Sequence, residues 1–423
     1  RRPSGLRKTI SSHTSLAHRT TWLRSDLYTL RRGMPEDYED ILDFGNYIFR
    51  TDFAALLPKL YKGHPERAAE HLLVTEQRPG GERIRGMSGL FRIPMNVCGR
   101  KLMASGVGTV AVHPYDRGKG YMKLTVGGCV DWAREEGHDF VILSGRKQRY
   151  QHYGFERCGS IYSFELDGTV SRQLRTYGVE GVTPPVPADG WEVLSPEAGK
   201  EYEARCRALY EAQPVWAERP DFWEVASSWS GEVRVIRRDG AFAGYAALSK
   251  AYGGFTVHEL LLEEGVEPLP AVLSVLDCAA QMGARELTVE ALPFQQGLIH
   301  TLTLIAEEGR LSSPYGINVL RYAPVAEAFL QLKASFRPLP EGSYVLGIER
   351  GGKAEKVRLT FRDGQAKAEE LPEEAEADIL LPHIQMMDFL FAQSGTAGVT
   401  GKQPVLEAAW FPLPFCMSEE DNS

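Results

Sequence analysis

The chain has 423 residues, of which 43% are hydrophobic and 25% charged, and its formal net charge is -8. A chain this long exceeds what one hydrophobic core normally supports, so more than one domain is expected. The composition is that of a soluble globular protein, no apolar run reaches the roughly 18 residues of a membrane span, and the acidic balance argues against a general nucleic-acid binder.

The six cysteines (Cys98, Cys129, Cys158, Cys206, Cys278, Cys416) are scattered without a C-x-x-C pair. That usage reads as reduced thiols in a cytoplasmic protein, not a disulfide frame or a zinc site. The ten histidines form no metal-spaced cluster, so no metal is expected. His113 and His152, which flank the motifs below, are assigned packing or surface roles.

Residues 1–24 are basic, free of acids and rich in Ser and Thr. They lack the apolar core of a secretory signal and are read as a disordered tail. From Tyr28 the pattern becomes regular. Tyr28-Thr-Leu-Arg31 reads as a strand. Met34-Pro35-Glu36-Asp37 opens a helix, with Pro and acids where the first turn favours them. A second helix is expected over residues 53–61. Residues 70–74 and 84–91 read as a hairpin around Pro79-Gly80-Gly81, and residues 101–112 as the strand that follows.

Residues 107–155 organise the rest. Val107-Gly-Thr-Val-Ala-Val112 is a short β-branched run, as a buried strand would be. His113-Pro-Tyr-Asp-Arg117-Gly118-Lys119-Gly120 breaks it. Met122, Val126, Cys129 and Ala133 then fall on one helical face, and Gly137 is placed to end that helix. Phe140-Val-Ile-Leu143 is the next strand, followed by Arg149-Tyr150-Gln-His-Tyr153-Gly154-Phe155. A basic glycine turn at a helix N-terminus is suited to an anion: its first amides are free, its dipole is positive, and Arg117, Lys119 and Lys123 add charge. Taken alone, the same turn is equally compatible with a solvated basic βα connection. A P-loop is excluded because G-x-x-x-x-G-K-[ST] is absent. A Rossmann turn fails because Lys123 stands where the third Gly belongs.

The pattern that fits resembles motif A of the GNAT N-acetyltransferases, Arg/Gln-x-x-Gly-x-Gly/Ala, with Arg117 first and Gly120 fourth. Met122 departs from it, standing where a small residue is usual. Tyr150-x-x-Tyr153-Gly154-Phe155 resembles motif B of that superfamily. The resemblance implies acetyl-CoA as co-substrate. Its pyrophosphate would lie on the turn (Arg117, Gly118, Lys119, Gly120, Tyr121, Met122, Lys123), with its pantetheine arm along Val110, Ala111 and Val112 and further contacts at Gly145 and Arg146.

Pro184-Pro-Val-Pro187 marks a linker. The second unit echoes the first: strand at Val257-His-Glu-Leu-Leu-Leu262, helix over 269–282, Gly283, then strand. Its turn, Glu263-Glu264-Gly265-Val266-Glu267-Pro268, carries three carboxylates and would repel a pyrophosphate. It reads as a degenerate second GNAT domain or as an unrelated α/β unit. The last hundred residues change character. A helix over 324–332, strands at 344–348 and 357–361, a turn at Asp363-Gly364, an acidic solvated stretch over 369–377, a strand over 377–381 and a helix carrying Ile384, Met387, Leu390 and Phe391 resemble a sterol-carrier-protein-like domain.

Together these units resemble the enhanced intracellular survival (Eis) acetyltransferases. The implied class is α/β (α+β): a catalytic GNAT domain over 25–175, a degenerate second GNAT domain over 176–320 and a sterol-carrier-like domain over 321–423. The implied activity moves acetyl from acetyl-CoA to a primary amine (an aminoglycoside, polyamine or lysine-like acceptor) in a homohexamer that engages neither nucleic acid nor membrane.

Such a transfer needs a base for the amine, support for the oxyanion and an acid for the leaving thiolate. Tyr150 matches the motif B acid; without the motif it reads as a core tyrosine. Tyr153 and Phe155 are assigned to packing, and the amides of 110–112 to the oxyanion. The base is open. The family uses the chain's C-terminal carboxylate, usually on an aromatic residue, which here would be Ser423. Otherwise the last residues form a mobile acidic tail and Glu419, Glu420, Asp421 or water serves. The alternative function is an acyl-CoA sensor or lipid-binding protein without transferase activity, separable by whether purified protein carries lipid.

Overall fold

The computed structural model describes residues 28–180, 183–251, 254–393 and 401–422. The basic stretch 1–24 and Ser423 lie outside them. Three sheets organise the described residues.

The first sheet has the order β1 (Tyr28–Arg32), β2 (His71–Arg78), β3 (Gly81–Val97), β4 (Arg100–Val112), β5 (Phe140–Leu143), β15 (Tyr315–Val319), β6 (Glu156–Cys158), with β9 (Val215–Ala217) added along β3. Its first four strands are antiparallel, and β4 and β5 are parallel. Parallel neighbours need a crossover helix; here it is α2 (Tyr121–Glu135). All four residues of β5 are buried, as a strand covered on both faces requires. On one face α2 sets Val126, Cys129, Trp132 and Ala133 against Leu72, Leu90, Val107 and Val141. On the other, α1 (Tyr38–Phe49) brings Ile41 and Phe44 to Leu73, Met87, Phe91 and Ala111.

The single helix expected over 53–61 is two one-turn helices, Phe53–Leu56 and Pro58–Tyr61. Pro58 has no N–H to continue the first turn and disfavours helical geometry at Leu57. Leu57 accordingly sits at φ -128, ψ 64.

The second sheet has the order β14 (Glu308–Ser312), β7 (Ile161–Asp167), β13 (Glu286–Ala291), β12 (Gly254–Leu262), β11 (Ala241–Ala251), β10 (Gly231–Arg238), β8 (Trp191–Val193). Its parallel pair, β12 and β13, is bridged by α3 (Pro268–Gln281). The two sheets exchange strands. β7 lies within residues 25–175 yet pairs with β13 and β14, while β15 lies within 176–320 yet pairs with β5 and β6. Neither sheet is therefore complete from one continuous segment.

The third sheet, β18 (Gln365–Leu371), β17 (Lys353–Arg362), β16 (Gly342–Arg350), β19 (Ile379–Pro382), packs against α4 (Tyr322–Phe336) and α5 (His383–Phe391). Its core of Tyr344, Leu346, Phe329, Phe391 and Trp410 is continuous with Val97, Phe140 and Ile317 of the first sheet. The turn at Asp363-Gly364 has both residues at positive φ, 48 and 72, the two-residue hairpin geometry those residue types allow. The acidic stretch over 369–377 is solvated and begins within the sheet. Its first three residues complete β18, where Glu369 reaches Arg358 across the ladder at 2.5 Å.

Candidate active site

β4 and β5 pair over three residue pairs only, from Ala104↔Phe140 to Gly106↔Ile142. β5 then keeps β15 on its far side, while β4 runs on to Val112 against β3 alone. The stretch 107–112 therefore presents one backbone edge to a cleft between parting strands. A β-bulge lies in this stretch: the β3 register shifts between Met87 and Gly89, and Thr109 has φ 50. A bulge turns the strand and re-aims its polar groups. Val110 packs toward α2 and Ala111 toward α1.

Thr109 is held from behind. Its hydroxyl meets the Tyr61 hydroxyl, and that in turn meets His71 Nε2 at 3.0 Å. His71 Nδ1 faces the Arg67 carbonyl at 3.1 Å. A carbonyl only accepts, so Nδ1 carries the proton. His71 is 1% exposed, and burial pushes its pKa down to about 4, so the ring is neutral. Nε2 then accepts from Tyr61, Tyr61 accepts from Thr109, and the Thr109 oxygen retains only lone pairs.

At the far end of the cleft β4 turns through Pro114–Asp116 into α2. Gly118 and Gly120 adopt φ 84 and 87, and a Cβ at either would meet nothing within 4 Å. Both are needed for backbone conformation, not for space. The amides of Tyr121, Met122 and Lys123 precede the first helical bond, which is Leu124 N to Gly120 O at 3.1 Å, so among the described residues they have no hydrogen-bond partner and are free for an anion. The Tyr121 ring is buried against Tyr28. Lys119 does not add free charge: its ammonium is 2.5 Å from the buried Asp116 carboxylate, which Arg85 also holds. Arg117 and Lys123 are exposed and form no ion pair among the described residues.

Tyr150 ends the one-turn helix Lys147–Tyr150 just beyond β5. Its ring lies over Gly145, where a Cβ would collide with it, and edge-on to Phe155 at 6.4 Å. Burial raises its pKa, so the hydroxyl keeps its proton through neutral pH. Gly145 thus makes room for Tyr150, and its carbonyl accepts from Arg157 Nη2 at 2.8 Å. Arg146 is exposed. Tyr153 and Phe155 pack in the α2 core.

The last described residues are not a mobile acidic tail. Glu420, Asp421 and Asn422 are buried, and residues 415–422 are tied along their length to the rest of the fold. Ser160 N donates to Phe415 O at 2.8 Å, and Tyr315 OH to Met417 O at 2.7 Å. Asp421 is committed to Arg219 at 2.7 Å and to Tyr210 OH at 2.5 Å. Arg219 also holds Glu259 at 2.8 Å, and Glu259 accepts from Ser418 and Tyr245. Lys59 Nζ donates to the carbonyls of Glu420 and Asn422. Burial lowers the Lys59 ammonium pKa and raises the Glu420 and Glu419 carboxyls. Asn422 reaches Ser144, directly after β5, at 2.7 Å. The tail thus arrives at the mouth of the β4/β5 cleft.

Beside it is a cavity of about 290 Å³, lined among others by Ser144 and Asn422, by Glu419 and Glu420, and by Ser249 and His258. Ser249 Oγ is 2.8 Å from His258 Nε2, and His258 Nδ1 is 2.9 Å from Glu290. No spacing in the sequence signals this trio, since its members come from β11, β12 and β13. Thr109, Tyr61, His71 and Arg219 were likewise invisible before folding. Among the described residues no group of three or more His, Cys, Asp or Glu is placed to hold a metal ion, and no helix is long and apolar enough to cross a membrane.

Residues 29–158 match the acetyltransferase (GNAT) domain family. No curated protein matches the chain. Among solved structures, a GCN5-related N-acetyltransferase from Kribbella flavida is similar with TM-score 0.64 and 17% identity, over 92% of this chain and 96% of that one. One from Anabaena variabilis has TM-score 0.62 and 14% identity, over 92% and 98%. Eis1 from Mycobacterium abscessus has TM-score 0.57 and 13% identity, over 93% and 98%. At these identities the likeness is one of fold. The chain thus carries a GNAT acetyltransferase domain over residues 29–158, is an acyltransferase by that domain, and shares its overall fold with GCN5-related N-acetyltransferases and with Eis1.

Proposed function

We propose that the chain transfers acetyl from acetyl-CoA to a primary amine by direct attack on the thioester. The observations that carry this reading are the edge of β4 left unpaired by β5 beyond Gly106 and the two features near its ends. One is the set of helix N-terminal amides that follows Arg117; the other is a cavity lined by Ser144, just after β5, and by Glu419 and Glu420 of the tail. An anionic pyrophosphate suits the first end and a cationic amine the second. The pantetheine amides would extend the sheet along the free edge of Val110, Ala111 and Val112, where an N–H can also support the oxyanion. Tyr150 would protonate the leaving thiolate. Acceptors of the aminoglycoside, polyamine or lysine-like class fit the cavity's charge. The second sheet acts as a GNAT-like unit without a cofactor turn, because three glutamates occupy its corresponding loop. The third unit has a sterol-carrier-like order of elements, and assembly is as a homo-oligomer, a hexamer by resemblance.

The test is thiol release from acetyl-CoA with a panel of polyamines, aminoglycosides and lysine peptides. Acceptor-dependent release supports the reading; acetyl-CoA binding with no release for any amine contradicts it. Arg117→Ala is expected to weaken acetyl-CoA binding about tenfold by loss of a charge-assisted phosphate contact. Lys119→Ala is expected to change it less than threefold, because Lys119 is already paired with Asp116. Calorimetric titration of both variants distinguishes them.

A further inference from the structure

The base is the part of the chemistry that the cleft itself does not supply. Asp421 is committed to Arg219 and Tyr210, and burial raises the pKa of both the Glu419 and the Glu420 carboxyl. The same cavity holds a different arrangement. β12 and β13 pair as far as Val257↔Val289. His258 and Glu290 are the next residue on each strand, and their side chains meet at 2.9 Å. From the other side Ser249 of β11 comes within 2.8 Å of the second ring nitrogen. A carboxylate only accepts, so Nδ1 carries the proton in the neutral ring, and Nε2 is left to receive the Ser249 hydroxyl proton. Ser249 and His258 both line the cavity, so a chain Ser249–His258–Glu290 runs from open space into the sheet.

We propose that His258, acting through Ser249 Oγ and oriented by Glu290, is the proton acceptor for the attacking amine. This rests on the acetyl-transfer reading. As the C–N bond forms and the C–S bond breaks, the nitrogen's surplus proton passes to Ser249 Oγ. The Ser249 proton moves to His258 Nε2, and the thiolate takes the Tyr150 proton. Exchange with solvent restores both groups. The charged groups facing His258 are Glu290 from β13 and Glu420 and Glu419 from the tail. Burial opposes charge on the ring, but the hydrogen bond and charge of Glu290, with smaller contributions from Glu420 and Glu419, outweigh it and raise the His258 pKa above the usual value. The cations beside the tail are committed elsewhere, Lys59 to backbone carbonyls and Arg219 to Glu259 and Asp421. A base held and oriented by a supporting carboxylate is what this step requires.

The experiment is the pH profile of kcat/KM for the best acceptor, in wild type and in His258→Asn, Ser249→Ala and Glu290→Gln. Wild type should lose activity as pH falls through the His258 pKa. His258→Asn should lose about a hundredfold, lose that inflection, recover part of its rate with added imidazole, and bind acetyl-CoA as wild type does. Ser249→Ala should lose about tenfold, as water replaces the hydroxyl in the relay. Glu290→Gln should move the inflection to lower pH, a change that mere loosening of the fold would not produce. If wild type transfers acetyl and His258→Asn keeps both rate and inflection, the base lies elsewhere and the proposal is overturned while the transferase reading stands. Acetylated Ser249 trapped without acceptor would also overturn it, making Ser249 a nucleophile. A wild type that binds acetyl-CoA and acetylates no amine removes both readings together.

Discussion

Tyr150→Phe is expected to lower acceptor-dependent thiol release by about 10²–10³, the usual contribution of a positioned general acid, while acetyl-CoA binding and thermal unfolding stay close to wild type. The ring is the part that packs: it lies on Gly145 and edge-on to Phe155, and phenylalanine fills the same space. Only the hydroxyl is lost. Burial raises its pKa, so it is protonated when the thiolate departs and can donate. The loss belongs in kcat, because a leaving group needs a proton only as the transition state forms. A variant with wild-type kcat would place the acid elsewhere. A variant that unfolds would show that the hydroxyl is structural.

Arg219→Ala is expected to destabilise the protein by about 3–5 kcal/mol, the scale for removing one partner of a buried ionic cluster. The Arg219 side chain is 1% exposed, and Glu259 and Asp421, at 6% and 4%, depend on it. Truncation strands both carboxylates in the interior and releases the tail from the cleft mouth. Urea unfolding measures the loss, and limited proteolysis should cut the released segment near residue 418. The pH dependence follows from Glu259. Burial alone would raise its pKa, but Arg219, Ser418 and Tyr245 outweigh burial and lower it. A depressed carboxylate contributes stability that is present above its unfolded value, near 4.3, and lost as pH falls through its folded value. Wild type should therefore lose stability in that acidic window, and Arg219→Ala should lose less there. An unchanged midpoint would mean that the tail is held by its backbone contacts alone.

The parts of the site that were legible in sequence are the parts made by one continuous stretch. Residues 107–143 announce strand, glycine turn, helix and strand through β-branching, two glycines and a helical stripe, and the structure forms each in place. Tyr150 and Phe155 follow in the same stretch. Long-range pairing was not legible. β7 and β15 have ordinary strand composition, and nothing local says that each belongs to the sheet of the other segment. Ser249, His258 and Glu290 lie on three strands and become neighbours only through the register of β11, β12 and β13. The acids of residues 419–421 look solvated in sequence, because acidic tails usually are. Arg219, some two hundred residues earlier, provides the charge that lets Asp421 be buried. The break at Leu57 was not read from the sequence: the apolar pattern suggested one helix, and the effect of Pro58 on the preceding residue outweighs it.

Hydrogen–deuterium exchange with and without acetyl-CoA asks most directly whether the β4/β5 cleft and its turn receive the cofactor. Protection is expected in residues 107–112 and 117–123, with the acidic loop at 263–268 unchanged. Protection at 254–268 with none at 117–123 would contradict this, because the cofactor would then lie on the second sheet and not on the glycine turn.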